Sequence, residues 1–309
     1  MKVFVTGASG WIGSALVPDL LTAGHTVSGL ARSDASAEKL AAAGVEPVRG
    51  SLADLGVLRE AARAADGVAH LAFDHDRAFA GGDFLGAIET DRRAVTALGE
   101  GLAGSGKPFV AAGGTPAIPG TVTTERDARR SAELGPEDDG PAARAATDEL
   151  VLALADRQVR SSVVRLPRTN HGEGDQGFIA MLVAVAREKG VSGYLGDGAN
   201  RWPAVHRLDS AHAFRLALEK APAGSVLHAV ADEGVAIRDI AEVIGRHLGV
   251  PTAPVAPQDA FGHFGWLAAI LAPDQPSSAE LTKRLIGWEP GRPGLLADLE
   301  QGHYFRQEA

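Results

Sequence analysis

Short apolar runs alternate with helix-length amphipathic stretches from the first residues of the chain. Val3 to Val5, Val27 to Leu30, Val45 to Val48, Val68 to Leu71, Phe109 to Ala112 and Ser162 to Leu166 have the length and continuity of strands buried on both faces. Between them lie Ile12 to Leu21, Ala35 to Ala43, Leu55 to Ala65, Phe84 to Leu102 and Ala142 to Asp156, of helical length and dense in Ala and Leu. This alternation predicts an α/β fold: a doubly wound parallel sheet with helices on both faces. Past Pro167 the pattern breaks into segments punctuated by Gly and Pro, among them Asn170-His171-Gly172-Glu173-Gly174 and Gly193 to Pro203. A strand over Val226 to Val230 is expected to rejoin the sheet, with helices near Ile237 to Leu248, Ala260 to Leu271, Ser278 to Ile286 and Gly294 to Leu299. The organisation expected is a core of residues 1–166, rejoined by 204–231, and a smaller ligand-facing region of 167–203 and 232–309. Thr123 to Pro141, charged and poor in apolar residues, reads as an exposed loop.

Composition narrows the partners. A formal net charge of −9 without clusters of Lys and Arg argues against nucleic acid and against anionic membranes. With no cysteine in 309 residues, disulfides, thiolate nucleophiles and thiolate metal ligands are excluded, which fits a reducing cytoplasm. Met1 to Val5 reads as a strand running into a glycine turn rather than as a signal peptide, and no stretch reaches transmembrane length. The expectation is a cytoplasmic protein acting on a small molecule.

Thr6-Gly7-Ala8-Ser9-Gly10-Trp11-Ile12-Gly13 follows the first strand and opens the first helix, the setting in which a glycine-rich fingerprint gains meaning. Gly7 permits a tight turn, Gly10 lets a pyrophosphate approach the backbone, and Gly13 lets the helix lie close to the sheet. Thr6, Gly7, Ser9, Gly10, Trp11, Ile12 and Gly13 are therefore candidate cofactor contacts. The spacing G-x-x-G-x-x-G after a Thr resembles the extended short-chain dehydrogenases/reductases, the epimerase/dehydratase-like branch, which implies a Rossmann-type sheet. Gly50-Ser51-Leu52-Ala53-Asp54 is similar to that branch's adenine-contacting segment, with Ser51 where its acidic residue usually stands. His70-Leu71-Ala72 ends the fourth strand as in the family, and Leu285-Ile286-Gly287-Trp288-Glu289-Pro290 resembles its C-terminal L-G-W-x-P signature. The resemblance spans nearly the whole chain. It adds Ser51, Leu52, Leu71, Ala72 and Phe73 to the cofactor contacts, and Leu166 and Thr169 beside the nicotinamide.

Where an acid at the end of the second strand would hold the ribose hydroxyls of NAD, the sequence reads Leu30-Ala31-Arg32-Ser33. The guanidinium suits a 2′-phosphate, so NADP(H) is expected in preference to NAD(H), with Arg32 and Ser33 as contacts. A solvated surface arginine is the competing reading.

In the family the reacting carbonyl is handled by Tyr-x-x-x-Lys with a Ser or Thr. This chain has two tyrosines, Tyr194 and Tyr304, and neither has Lys four residues on. Losing a general acid typically costs about 10²–10⁴ in rate, so an enzyme would need a replacement. Arg144, in the segment where the pair should lie, could bind the nicotinamide ribose or stabilise developing negative charge. His75, between Asp74 and Asp76 at the sheet's carboxyl edge, is a candidate proton donor. His171, beyond the sixth strand, is another. Thr115 is the hydroxyl nearest the end of Ala111-Ala112-Gly113-Gly114, either a substrate contact or a turn cap. For each of the other three the alternative is an ordinary structural or solvated side chain. No metal-ligand spacing such as H-E-x-x-H occurs, so no metal is expected. Tyr194 and Trp202 either close over a substrate or pack a strand pair in the smaller region, and Asp209 reads as an N-cap.

Three functions remain open. The first is an NADPH-dependent reductase acting on a small or medium carbonyl or a related C=O, C=N or activated C=C compound. The second is a nucleotide-sugar epimerase or dehydratase, whose chemistry leans on the missing tyrosine. A non-catalytic NADP-binding sensor is the third. The family often pairs the helices corresponding to Phe84 to Leu102 and Ala142 to Asp156, so a homodimer is compatible with the sequence.

Overall fold

The computed structural model describes residues 1–118, 120–127 and 140–306, without the side chains of residues 79, 80 and 141. The chain runs β1 (Lys2–Thr6), α1 (Gly13–Thr22), β2 (Thr26–Ala31), α2 (Asp34–Ala42), β3 (Glu46–Arg49), α3 (Leu55–Ala64) and β4 (Gly67–His70). It continues with α4 (Phe84–Leu102), β5 (Pro108–Gly114), α5 (Gly140–Ala153), β6 (Arg160–Leu166), β7 (Thr169–His171), α6 (Phe178–Lys189), β8 (Ser192–Leu195) and β9 (Arg201–His206). After these come α7 (Arg207–Lys220), β10 (Ser225–His228), β11 (Asp232–Ala236), α8 (Ile237–Leu248) and β12 (Thr252–Val255). Four short helices close the order: α9 (Ala260–Phe264), α10 (Leu267–Leu271), α11 (Glu280–Ile286) and α12 (Leu295–Glu300).

Seven parallel strands form the central sheet in the order β3-β2-β1-β4-β5-β6-β10. Alternating side chains fill opposite faces, as the two-residue period of a strand requires. Val3 and Val5 of β1 pack with Leu16, Leu20 and Phe214 on one side, whereas Phe4 joins Leu58, Leu98 and Phe109 on the other. Because the order reverses at β1 and β4, the segments leaving their carboxyl ends run to opposite faces of the sheet and open a crevice there.

A three-stranded sheet, β11-β9-β7, and the parallel pair β8 and β12 build the smaller region around a third core that includes Ile179, Trp202, Ile240 and Leu295. The chain returns to the main sheet only at α7 and β10. Residues 204–206 lie in β9 of the small sheet rather than in the rejoining segment expected from 204 onward. Asp209 is not the N-cap of α7. That place is taken by His206, which accepts the Leu208 N–H, while the Asp209 carboxylate accepts the backbone N–H groups of Gly291 and Arg292 at 3.1 and 2.9 Å. Trp288 is fully buried and donates to the Asp209 carbonyl at 3.0 Å, so the C-terminal signature is anchored to the start of α7.

Helix α6 was not anticipated. Its nearly unbroken apolar run, Phe178 to Ala186, has no clear helical period, although Gly190 at φ +67° supplies the stop signal. The single helix expected over Ala260 to Leu271 is divided by Gly265 at φ +57°. Most of the loop expected over Thr123 to Pro141 lies outside the described residues; within its first part Thr123 and Glu125 are buried, not exposed. The Glu125 carboxylate accepts both the N–H and the hydroxyl of Thr282 at 2.6 Å. Among the described residues no helix is long and apolar enough to cross a membrane.

Candidate active site

A cleft of about 920 Å³ opens at the β1/β4 crevice. Gly7 leaves β1 at φ +71°, and a Cβ placed on it would lie 2.8 Å from the backbone nitrogen of Ala72, beyond β4. At Gly13 a Cβ would sit 2.0 Å from the Gly7 carbonyl oxygen, and at Gly10 3.2 Å from it. The turn closes through the Gly10 N–H, which donates to Gly7 at 3.0 Å. Helix α1 begins without a side-chain cap, and Gly10, Trp11, Ile12 and Gly13 line the cleft, so the positive end of the helix faces it. Such a cradle, too tight for side chains and lined by backbone, fits a dinucleotide diphosphate. Trp11 is pinned across the cleft: its Nε1–H donates to the Asn170 carbonyl at 2.9 Å, and the Arg207 guanidinium lies 4.1 Å from its ring centroid.

Arg32, Ser51 and Leu52 line the far end of the same cleft, with Ser36. Arg32 is largely exposed and lies 3.4 Å from Asp76. Ser33 does not line the cleft. It caps α2 instead, accepting the Ser36 N–H at 3.2 Å while Ser36 Oγ accepts the Ser33 N–H. The Ser51 hydroxyl is held by Asp54 at 2.8 Å.

At the other end, four elements meet in one hydrogen-bonded chain. Thr6 Oγ1 on β1 lies 2.7 Å from His70 Nδ1 at the end of β4; His70 Nε2 lies 2.9 Å from Asp91 Oδ1 on α4; Arg144 Nη1 on α5 donates to Asp91 Oδ2 at 2.7 Å. Burial works against charge on Asp91, yet the bond from His70 and the nearby Arg144 hold its pKa below the usual carboxylate range. The guanidinium of Arg144 also lies 4.8 Å from the Phe73 ring centroid, and both residues line the cleft. Behind it, Arg165 Nε donates to Asp148 at 3.2 Å, and burial raises the Asp148 pKa above its ordinary value. A Cβ on Gly113 would come within 3.0 Å of that carboxylate. Gly113, next to last in β5, thus leaves room for Asp148 of α5.

His75 lines the mouth of the cleft, its ring edge-on to Phe73 at 5.1 Å. Leu71, Ala72 and Leu166 line it as well. Thr6 lies beneath the cleft, fully buried. The remaining sequence candidates are placed elsewhere. Thr115 is not among the residues lining the cleft and extends the β5/β6 pairing through its N–H to Leu166. Thr169 is buried in β7. His171 is fully buried, with Nδ1 2.8 Å from Asp298, so it is walled off from a ligand in the cleft. Trp202 is fully buried in the C-terminal core, where Tyr194 packs at its edge, because β9 and β8 turn these rings inward. Tyr304 donates to Asp175 at 2.8 Å, so neither tyrosine lines the cleft.

Sequence reasoning missed Asp91 and Asn170. One signal for Asp91 was legible: it shares the buried face of α4 with Ala87, Ile88, Ala94, Val95 and Leu98. An acid on an apolar helix face demands partners.

An uncharacterized protein of Saccharomyces cerevisiae, YLL056C, is 43% identical over 98% of this chain and 99% of its own length. The 2-alkyl-3-oxoalkanoate reductase of Stenotrophomonas maltophilia is 30% identical over 73% of this chain and 67% of its own. In fold the chain is similar to dTDP-glucose 4,6-dehydratase DesIV of Streptomyces venezuelae, solved with NAD and TYD bound, with TM-score 0.75, 22% identity and coverage of 99% and 97%. Residues 3–229 match the family described as the NAD dependent epimerase/dehydratase family, and the chain belongs to that family.

Proposed function

We propose that this protein is an NADPH-dependent reductase of a carbonyl compound, with Arg144 in the place of the family's usual proton-relay pair. The observation that carries the reading is that Arg144, held by Asp91 and stacked on Phe73, places a cationic side chain in the cleft wall near β4 and β5, while no tyrosine lies there. The glycine turn and the start of α1 would hold the diphosphate, and Arg32 a 2′-phosphate, displacing Asp76 from its exposed and therefore weak pairing. When bound, NADPH supplies the hydride. Arg144 would bind the carbonyl oxygen and neutralise the negative charge that grows on it. Its part is charge and orientation, and the proton that completes the alcohol comes from His75 at the mouth or from water. The 2-alkyl-3-oxoalkanoate reductase among the relatives favours 3-oxo acids as the first substrates to try.

Calorimetry with NADPH and NADH, followed by NADPH oxidation assays against carbonyl compounds including 2-alkyl-3-oxo acids, tests the proposal. Tighter binding of NADPH and turnover of at least one carbonyl are expected. Tight binding without turnover across the panel would sink the reductase reading. Conversion of a nucleotide-sugar with no net NADPH consumption would replace it with the epimerase or dehydratase chemistry of the family.

A further inference from the structure

We infer that Asp91 is the positioning residue of this site: one carboxylate oxygen fixes the Arg144 guanidinium, and the other fixes which ring nitrogen of His70 carries the proton. The inference rests on the reading of the cleft as a reductase site in which Arg144 meets the substrate oxygen. A hydrogen-bond accounting along the chain determines its direction. The Ala72 N–H donates to Thr6 Oγ1 at 3.3 Å, so that oxygen is already an acceptor. Thr6 is fully buried, and its hydroxyl hydrogen has His70 Nδ1 within reach at 2.7 Å. Nδ1 therefore accepts, and the proton of the imidazole sits on Nε2, donated to Asp91 Oδ1. Arg144 donates to the second oxygen. The Thr6 hydroxyl, both ring nitrogens of His70 and both carboxylate oxygens of Asp91 each have a partner in this arrangement, and its two ends are the residue before the glycine turn and a guanidinium in the cleft wall.

The consequence concerns Arg144 more than stability. An arginine has many rotamers, and only a fixed one presents the same N–H groups to a reacting oxygen at each encounter. Asp91 and the Phe73 face hold it from two sides. A carboxylate is required because two donors converge on the same group. In Asp91→Asn the single amide oxygen goes to Arg144, since the alternative sets the amide NH₂ against a guanidinium. The amide then donates to His70 Nε2, and the ring proton must move to Nδ1.

Nitrogen-15 NMR of the histidine rings, with His70 assigned by its substitution, tests this without turnover. The parent is expected to show His70 protonated on Nε2 only, and Asp91→Asn to show it on Nδ1. A parent ring protonated on Nδ1, or on both nitrogens, would overturn the inference. The kinetic arm uses a carbonyl that the protein reduces. Asp91→Leu and Arg144→Met are each expected to lower kcat about 100-fold, the double variant is expected to be no slower than Arg144→Met alone, and Asp91→Asn is expected to recover about tenfold of the loss. Additive losses would show that Asp91 does not act through Arg144. If no carbonyl is turned over, the reductase reading falls, and the ring-proton measurement still decides the part of Asp91.

Discussion

Gly10 and Gly13 carry the same absent side chain but not the same constraint. A methyl group at residue 13 would overlap the Gly7 carbonyl oxygen, 2.0 Å away, with backbone on both sides and nothing able to give. At residue 10 the same methyl would meet that oxygen at 3.2 Å, which a shift of a few tenths of an ångström relieves. Gly13→Ala is expected to abolish detectable NADPH binding in a fluorescence titration and to lower Tm by several degrees. Gly10→Ala should keep the fold and lose affinity only modestly; equal losses would contradict the geometry. Arg32 poses a different question, because it is exposed and its pairing with Asp76 is a weak surface one. Charge-assisted hydrogen bonds contribute about 1.5–3 kcal/mol, of which solvent exposure leaves the lower part, so Arg32→Ala should weaken NADPH about tenfold and NADH hardly at all. A parallel loss for both dinucleotides in calorimetry would remove the arginine from the phosphate. That these positions line one cleft was legible because the pattern is local: the turn follows β1, and Arg32 follows β2. His171 and Trp202 were not. Gly-rich surroundings suggested a ligand-facing loop, whereas the burial of both rings depends on Asp298 and on the C-terminal core, far along the chain.

Helix α4 is where the pattern of apolar positions held a warning. Asp91 sits on its buried face, and the partners that make this tolerable lie 21 and 53 residues away on β4 and α5. Periodicity identifies the face and is silent about the partner, so the helix was legible and its chemistry was not. The acid response follows from the direction of the shift. Asp91 titrates lower in the folded chain than in the unfolded one, so its charged form favours folding above the unfolded value of about 3.9, and that contribution is lost as pH falls through the lower folded value. Asp148 and Asp175 act in the opposite sense: burial raises both, and the penalty of keeping them charged is relieved as pH falls. Denaturant unfolding should find Asp91→Asn about 1–3 kcal/mol less stable than the parent at pH 7, with the gap closing below about pH 4. A gap independent of pH would mean that the carboxylate contributes through its shape and not through its charge. Helix α6 shows the reverse case, a strong element hidden because an apolar run without period is shared by buried helices and strands.

Across the whole molecule, the fold class was legible from the alternation of strands and helices, because that alternation leaves the parallel sheet with little competition. The path of the chain between the two regions was harder to read. It leaves the large sheet after β6, builds most of the small sheet, and comes back through α7 and β10, which pairs with β6 over Ser225 to His228. Only contacts between distant segments, such as Asp209 with Gly291 and Arg292, fix where that return begins.

The indole of Trp11 turns this connectivity into something visible. Of the four tryptophans, Trp202 and Trp288 are sealed in separate cores, Trp266 is 52% exposed on the smaller region, and Trp11 lines the nucleotide cleft while bonded to Asn170. Intrinsic emission should therefore respond to dinucleotide through one chromophore, and Trp11→Phe should erase most of the ligand-dependent change while leaving the light from the other three intact. The molecule carries its own dye at the doorway, and a spectrometer alone can follow a guest arriving.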